Sequence, residues 1–276
     1  MNPPVAMTIA GSDSGGGAGI QADLRTFAAH RVHGTVAITA LTAQSTVGVT
    51  AVTPIEAEMV VAQITTVLDD IEVSAAKTGM LCRPSTVERV GEMAAAGLLP
   101  PLVVDPVLVS STGHPLMEEG GPSVYRSVLI PAAMVVTPNL RETAVLLDVE
   151  VAELNTVRAM ADAAKAIIGL GARYAVIKGG HLLDGGDTES AAPDVLAGPD
   201  GITELEASRI ATTNDHGTGC SLAAAIAANL ACGLGVTEAV IEAKAFVHRA
   251  LLGAVSWRLG AGHGPIDHLG WSSSAP

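Results

Sequence analysis

Aromatic side chains are almost missing, with two Trp, two Tyr and two Phe among 276 residues. A chain so poor in rings has no stacking platform for nucleic-acid bases. Its core must come from Ala, Val, Leu and Ile, which suits close packing of helices on a sheet. Positive charge is also scarce, with 15 Lys and Arg against 28 Asp and Glu for a net charge of -13. No nucleic acid and no anionic membrane surface is expected as a partner. An acidic protein that handles phosphates must rely on helix dipoles, a few Lys or Arg, and a divalent cation. Three cysteines (Cys82, Cys220, Cys232) are too few and too far apart for a disulfide framework or a zinc pattern. A reducing, cytoplasmic setting is therefore expected. Mean hydropathy is +0.43, yet the most apolar window, residues 222–236, is Ala-rich, interrupted by Asn229 and two glycines, and too short to span a bilayer. No basic region precedes the first apolar stretch, so no signal peptide is expected. With no internal repeat, low-complexity block or linker, one domain over residues 1–276 is expected.

Apolar periodicity supplies the elements. Residues 5–10, 36–41, 73–77, 102–105, 134–137 and 174–178 read as buried strands, and alternation at 203–210 as a hairpin near a sheet edge. Helices are predicted at 20–31, from Pro54 to about Leu68, at 84–96, 139–147 and 156–170, behind Gly217, and after Val236. Residues 184–200 are turn-rich, and 271–276 read as a frayed tail. Strands alternating with helices predict a mainly parallel sheet with helices on both faces. Ligands of such sheets bind beyond the carboxyl ends of the strands. Polar and Gly-rich signals gather at those ends: Gly11-Ser12-Asp13, Gln44, Lys77-Thr78-Gly79, Asp105, Asn139 and Lys178.

The sharpest signal is His216-Gly217-Thr218-Gly219-Cys220 ahead of an Ala-rich run. Glycines before a helix leave its first N–H groups uncovered, and the macrodipole makes them a seat for an anion. No acid stands in the first turn, and Cys220 directs a thiol at whatever sits there. The helix N-terminus is expected to favour the thiolate. An ordinary loop entering a buried helix remains the plain alternative.

Residues 11–19 hold five glycines in nine, without the Lys of a P-loop or a clean G-x-G-x-x-G. Close approach of the backbone to a ligand is the expected reason. Asn139 and Glu142 have capping-box spacing, yet beside Asp105 they could equally hold Mg²⁺, directly or through water. Lys178 could pair with a nucleotide phosphate or cap the sheet edge. The amide of Gln44 matches the edge of an amino-bearing heteroaromatic ring, or it is a surface side chain at a strand end. His216, His263 and His268 are not expected to form a metal site, because Pro265 breaks any helical spacing among them.

Residues 8–23, 40–46, Lys77-Thr78-Gly79-Met80-Leu81, Asp105-Pro106-Val107, Thr137-Pro138-Asn139-Leu140, Lys178-Gly179-Gly180-His181 and the pentapeptide at 216–220 occur in one order. In that order they resemble the hydroxymethylpyrimidine/phosphomethylpyrimidine kinases of thiamine biosynthesis, within the ribokinase-like superfamily, over residues 5–269. The resemblance implies a three-layer α/β/α sandwich that moves the γ-phosphoryl of Mg·ATP onto a hydroxymethyl group and then onto the resulting phosphate. It implies that Gln44 reads the pyrimidine edge, with Ala18, Asp23, Met80 and Val107 around the ring. Gly217, Thr218 and Gly219 would form an anion hole and Cys220 would stand at the catalytic position. Asp105, Asn139 and Glu142 would serve Mg²⁺, with Lys178 near the nucleotide phosphates. A homodimer is implied as well. Relatives sharing Gly-Thr-Gly-Cys phosphorylate vitamin B6, so a pyridoxal or pyridoxine kinase is the alternative. Some of those carry a second Cys in a lid, and residues 108–119, where the lid is placed here, have none. A metabolite-binding protein without turnover is the remaining alternative.

Overall fold

A computed structural model describes residues 2–109, 116–180 and 192–273. The expected lid (108–119) and turn-rich stretch (184–200) fall partly, and His181 wholly, outside the described residues. One nine-stranded sheet organises the chain. Its strands are β1 (Val5–Asp13), β2 (His33–Ser45), β3 (Gly48–Pro54), β4 (Ala75–Thr78), β5 (Leu102–Val104), β6 (Val135–Val136), β7 (Tyr174–Lys178), β8 (Asp194–Gly198) and β9 (Gly201–Leu205). Their spatial order is β3-β2-β1-β4-β5-β6-β7-β8-β9. The six strands from β2 to β7 in that order are parallel, and β3, β8 and β9 add antiparallel edges.

Alternation along the strands sends side chains to two separate cores. Met7, Ile9, Leu102, Val104, Val136 and Ile177 meet α2 (Ala57–Leu68), α3 (Pro84–Ala95), α5 (Leu140–Leu147) and α6 (Val157–Gly169). Ala6, Val103, Val135 and Val176 meet α1 (Gly19–Ala29), α7 (Thr218–Ala231) and α8 (Val236–Ala254) on the other face. This is the expected α/β/α sandwich. Residues 221–229 of α7 are buried without a break. Helix α7 is enclosed on every side, and Ala at most of these positions lets the sheet and α8 approach it closely.

Three expectations shift. Pro54 does not open a helix, because it is the last residue of β3 opposite Ala40. On an edge strand its missing N–H costs no ladder bond, and Glu56 is the residue that precedes α2. Strand β2 does not stop at 41 but runs to Ser45, folding back through Thr46-Val47 into β3. The hairpin expected at 203–210 lies earlier, in β8 and β9, and does sit at the sheet edge. A helical stretch at 121–132, comprising α4 (Gly121–Val124) and the turns after it, is absent from the sequence reading, where Gly120, Pro122 and Pro131 suggest a loop. No helix among the described residues is long and apolar enough to cross a membrane.

Candidate active site

Because β1, β4, β5, β6 and β7 are parallel, their carboxyl ends bring Asp13, Thr78, Asp105, Thr137 and Lys178 to one edge of the sheet. Three clusters form there.

The first surrounds Lys178. Its Nζ lies 2.8 Å from Asp105 Oδ1 and 3.9 Å from Glu142 Oε2. Thr137 Oγ1 donates to the same Asp105 oxygen at 3.3 Å. Burial works against the Lys178 ammonium, but Asp105 and Glu142 outweigh it and raise its pKa. Glu142 is lifted to about 7, by burial and by Asp105 against the pull of Lys178. The capping box is complete. Glu142 N donates to Asn139 Oδ1 at 2.9 Å, and Asn139 N donates to Glu142 Oε2 at 2.8 Å. The side-chain oxygen of Asn139 is thus committed to the start of α5, and the carboxylates of Asp105 and Glu142 face the lysine.

The second cluster lies under α7. The helix begins at Gly217 (φ 85°) with no side-chain cap and no acid in its first turn. A Cβ placed on Gly219 would lie 3.1 Å from Lys178 Nζ, so the backbone there and the lysine share one space, while the Thr218 N–H donates to the Asp215 carbonyl at 3.3 Å. Cys220 follows, partly exposed as a residue. Its thiol is not a thiolate. Burial first, then Asp23 and Asp105, push it up to about 11 against Lys77 and a hydrogen bond from the Gly19 backbone. The expected depression by the helix terminus is overturned, because the acids near the sulphur and its desolvation act the other way. Beneath it Lys77 Nζ donates to Asp23 at 3.1 and 3.2 Å, and Thr8 Oγ1 donates to Asp23 at 2.6 Å. Both partners are fully buried. Burial disfavours the Lys77 ammonium, yet Asp23 keeps it charged. Asp23 faces Lys77 and Thr8 in this arrangement.

The third cluster is the glycine loop. Asp13 accepts from the N–H groups of Gly15 (2.8 Å), Gly17 (3.0 Å) and Ala18 (2.8 Å). Its Oδ2 lies 3.1 Å from His216 Nε2. Burial would raise the Asp13 pKa, but His216 and these N–H groups hold it below the usual carboxylate range. The loop is therefore filled by the chain's own carboxylate. At Gly17 and Gly217 the missing side chain serves contact within the chain. A Cβ on Gly217 would lie 2.0 Å from Gly17 O, and one on Gly17 would lie 2.4 Å from the His216 ring. Gln44 reaches this corner from the extended end of β2, its amide 3.2 Å from both Thr42 Oγ1 and His216 Nε2. Met80 and Val107 join Ala40 and Val52 in a small apolar patch. Ala18 stands at the start of α1.

The sequence reading assigned no role to Lys77, Thr8, Thr42 or Asp13. Asp13 and Lys77 stood only among the polar signals at strand ends, and a lysine inside the fully buried strand Ala75–Thr78 is the sharper sign. The three histidines fall apart, His216 to Asp13, His263 to Asp215 (2.6 Å) and His268 to Ser221 (2.8 Å). No group of three or more His, Cys, Asp or Glu able to hold a metal occurs among the described residues.

The family model described as phosphomethylpyrimidine kinase matches residues 13–267. A hydroxymethylpyrimidine/phosphomethylpyrimidine kinase of Rhizobium meliloti is 45% identical over 272 residues, covering 96% of this chain and 97% of the relative. Among solved structures, an ADP complex of Bacillus subtilis pyridoxal kinase aligns with a TM-score of 0.86 at 38% identity, over 98% of this chain and 99% of that one. The phosphomethylpyrimidine kinase of Clostridium difficile 630 aligns with a TM-score of 0.76 at 36% identity, over 89% and 98%. With the family's motifs converging on one edge of an α/β/α sheet, the chain belongs to the phosphomethylpyrimidine kinase family.

Proposed function

We propose that this enzyme transfers the γ-phosphoryl group of ATP to the hydroxyl of 4-amino-5-hydroxymethyl-2-methylpyrimidine, and then a second one to the monophosphate, in thiamine biosynthesis. The observation that carries the proposal is the uncapped, acid-free start of α7 beside Lys178 and a neutral Cys220. Phosphoryl transfer asks mainly for positioning and for stabilisation of charge on the moving group. Backbone N–H groups of Gly217 and Gly219 and the Lys178 ammonium would supply that charge, joined by the Thr218 N–H when a phosphate displaces the Asp215 carbonyl from it. In each step an acceptor oxygen bonds to the γ-phosphorus as the bond to the ADP oxygen breaks. In the first step the alcohol proton passes to an oxygen of the transferred phosphoryl group and from there to solvent, because the Cys220 thiol, titrating near 11, already holds its own proton.

Asp105 and Glu142 suit Mg²⁺. They are two hard oxygen donors about one lysine, and such a set holds Mg²⁺ through one or two carboxylates while the ion keeps most of its waters. Bound there, the ion would neutralise phosphate charge, while Asn139 keeps its place as the helix cap. Gln44 with Met80 and Val107 would hold the pyrimidine.

The second reading, a vitamin B6 kinase, is favoured by the higher TM-score to the Bacillus subtilis enzyme than to the Clostridium difficile one. One assay separates them. ADP release is measured with hydroxymethylpyrimidine, its monophosphate and pyridoxal. Turnover of the first two well above the third is expected. Turnover of pyridoxal alone would establish the second reading, and no turnover of any would point to a binding protein.

A further inference from the structure

Gln44 stands between two side chains whose own hydrogen bonds are already decided. Its Oε1 lies 3.2 Å from Thr42 Oγ1 and its Nε2 lies 3.2 Å from His216 Nε2. Proton counting reverses that order. Thr42 has a single hydroxyl proton, donated to the Ser12 carbonyl at 2.7 Å, an atom that can only accept. Towards Gln44, then, Thr42 offers lone pairs. His216 Nε2 lies 3.1 Å from Asp13 Oδ2, on a carboxylate that accepts from three backbone N–H groups and has no proton to give. The one proton of that bond therefore sits on His216 Nε2, which has no lone pair to accept from an amide NH2 and can only share its proton with Gln44 in a three-centre bond. The nitrogen and oxygen of an amide share one outline, and their partners decide which is which. Here the NH2 belongs against Thr42 and the carbonyl against His216.

We infer that Asp13, acting through His216, together with Thr42, fixes the order of donor and acceptor on Gln44 and so sets the direction in which a bound aminopyrimidine faces. The inference rests on the reading that Gln44 contacts the pyrimidine. With its flanks occupied, the outer edge of the amide presents one N–H on the Thr42 side and one lone pair on the His216 side. The ring nitrogen then accepts on the Thr42 side, and the adjacent amino group donates on the His216 side. In the substrate the hydroxymethyl carbon is attached next to the amino-bearing carbon, beyond it. It is therefore carried towards His216, whose following residues open α7 and lead to Cys220. The opposite amide order would turn the same ring over and point the hydroxyl away from α7. Asp13 and His216, with side-chain exposures of 3% and 14%, are positioning residues here and touch no reacting atom.

The order also makes a specificity statement. A 4-oxo analogue in its lactam form presents a ring N–H and a carbonyl, and so meets a like group at both points. Such a mismatch at a site built for hydrogen bonding rejects a ligand by on the order of 10²–10⁴-fold.

Two measurements test this. In the ligand-free wild-type enzyme carrying ¹⁵N-labelled glutamine, the Gln44 amide protons should show stronger nuclear Overhauser contacts to the Thr42 methyl than to the His216 ring protons. The reverse ranking would overturn the inference without any variant having to fold. The second is the ratio of kcat/KM for the amino substrate over its 4-oxo analogue, in wild type and in His216→Leu, where the amide is free to turn. The ratio should fall by at least about tenfold in the variant, whatever the loss in absolute rate. An unchanged ratio would overturn the inference. Gln44→Ala serves as the separate control. Undiminished pyrimidine binding in that variant would remove the substrate reading beneath the proposal, whereas the Overhauser ranking decides the amide order by itself.

Discussion

At Cys220 the surroundings decide the protonation state, and the protonation state decides what the residue can do. Asp23 and Asp105 are near enough to oppose a negative sulphur, and Lys77 is largely occupied by Asp23. In the proposed reaction a neutral thiol would leave room for a substrate phosphate without repelling it. A carboxylate about 4 Å from that phosphate would cost roughly 4 kcal/mol at an effective dielectric near 20. Cys220→Asp should therefore keep phosphorylation of the alcohol within about tenfold, and lose on the order of 10³-fold in phosphorylation of the monophosphate. Cys220→Ser keeps the position neutral and should lower both steps by similar, smaller factors. Separate ADP-release rates with each acceptor check both variants. Equal losses in the two steps for Cys220→Asp would show that the position is not held free of charge for the second phosphate. The cysteine and its place at the start of α7 were legible in the sequence. Its pKa was not, because it depends on Asp23 and Asp105, which are far away in the chain and close only in the fold.

Helix α7 poses the same contrast between local and distant information. Gly217 at its start and Gly233 after its end have nearly the same backbone, φ 85° and 88°. Their surroundings differ, since a Cβ on Gly217 would lie 2.0 Å from Gly17 O, whereas nothing lies within 4 Å of one on Gly233. Gly233→Ala should cost only the left-handed backbone penalty, about 1–2 kcal/mol. Gly217→Ala adds a collision with the neighbouring loop that cannot be relieved by a rotamer. It should cost at least about 2 kcal/mol more and abolish turnover by displacing the anion seat. Urea unfolding of the two variants beside wild type measures the difference, and equal midpoints would refute the account. The elements themselves were mostly readable, because buried strands and amphipathic helices carry their periodicity locally. Where reading failed, the punctuation misled. Pro54 resembles a helix start until β3 is known to be an edge strand, and the polar end of β2, Thr42 to Ser45, gives no apolar signal because it projects past the core to carry Gln44. The pairs that build the site, Lys77 with Asp23, Lys178 with Asp105 and His216 with Asp13, span 54, 73 and 203 residues and have no local signature.

For the molecule as a whole, a net charge of -13 means that phosphates are held by local features against the general field, and two buried groups make its stability depend on pH in opposite directions. Glu142 titrates at about 7 in the folded protein against an ordinary 4.5. The folded state holds that proton more tightly, so the contribution is present in full below about pH 4.5 and is lost as pH rises through 7. Burial lowers His268 to about 4 from an ordinary 6.5. Its neutral ring, 2.8 Å from Ser221 Oγ, contributes stability that is present above about pH 6.5 and is lost as pH falls through 4. Each effect is on the order of 3 kcal/mol, and between about pH 4.5 and 6.5 they offset one another. Glu142→Gln removes the first while keeping the helix cap, because Gln serves at the third helical position as well as Glu. The variant should melt with wild type near pH 4 and several degrees above it near pH 8. Between those limits its Tm should climb more steeply than that of wild type, since only the His268 slope remains. His268→Gln should behave in the opposite sense, gaining on wild type in acid and falling as pH rises. Scanning calorimetry of the three proteins from about pH 4 to 8 tests the balance. Parallel curves for Glu142→Gln and wild type would mean that this carboxyl does not hold its proton in the folded enzyme, and that the charge facing Lys178 is fixed across the whole range.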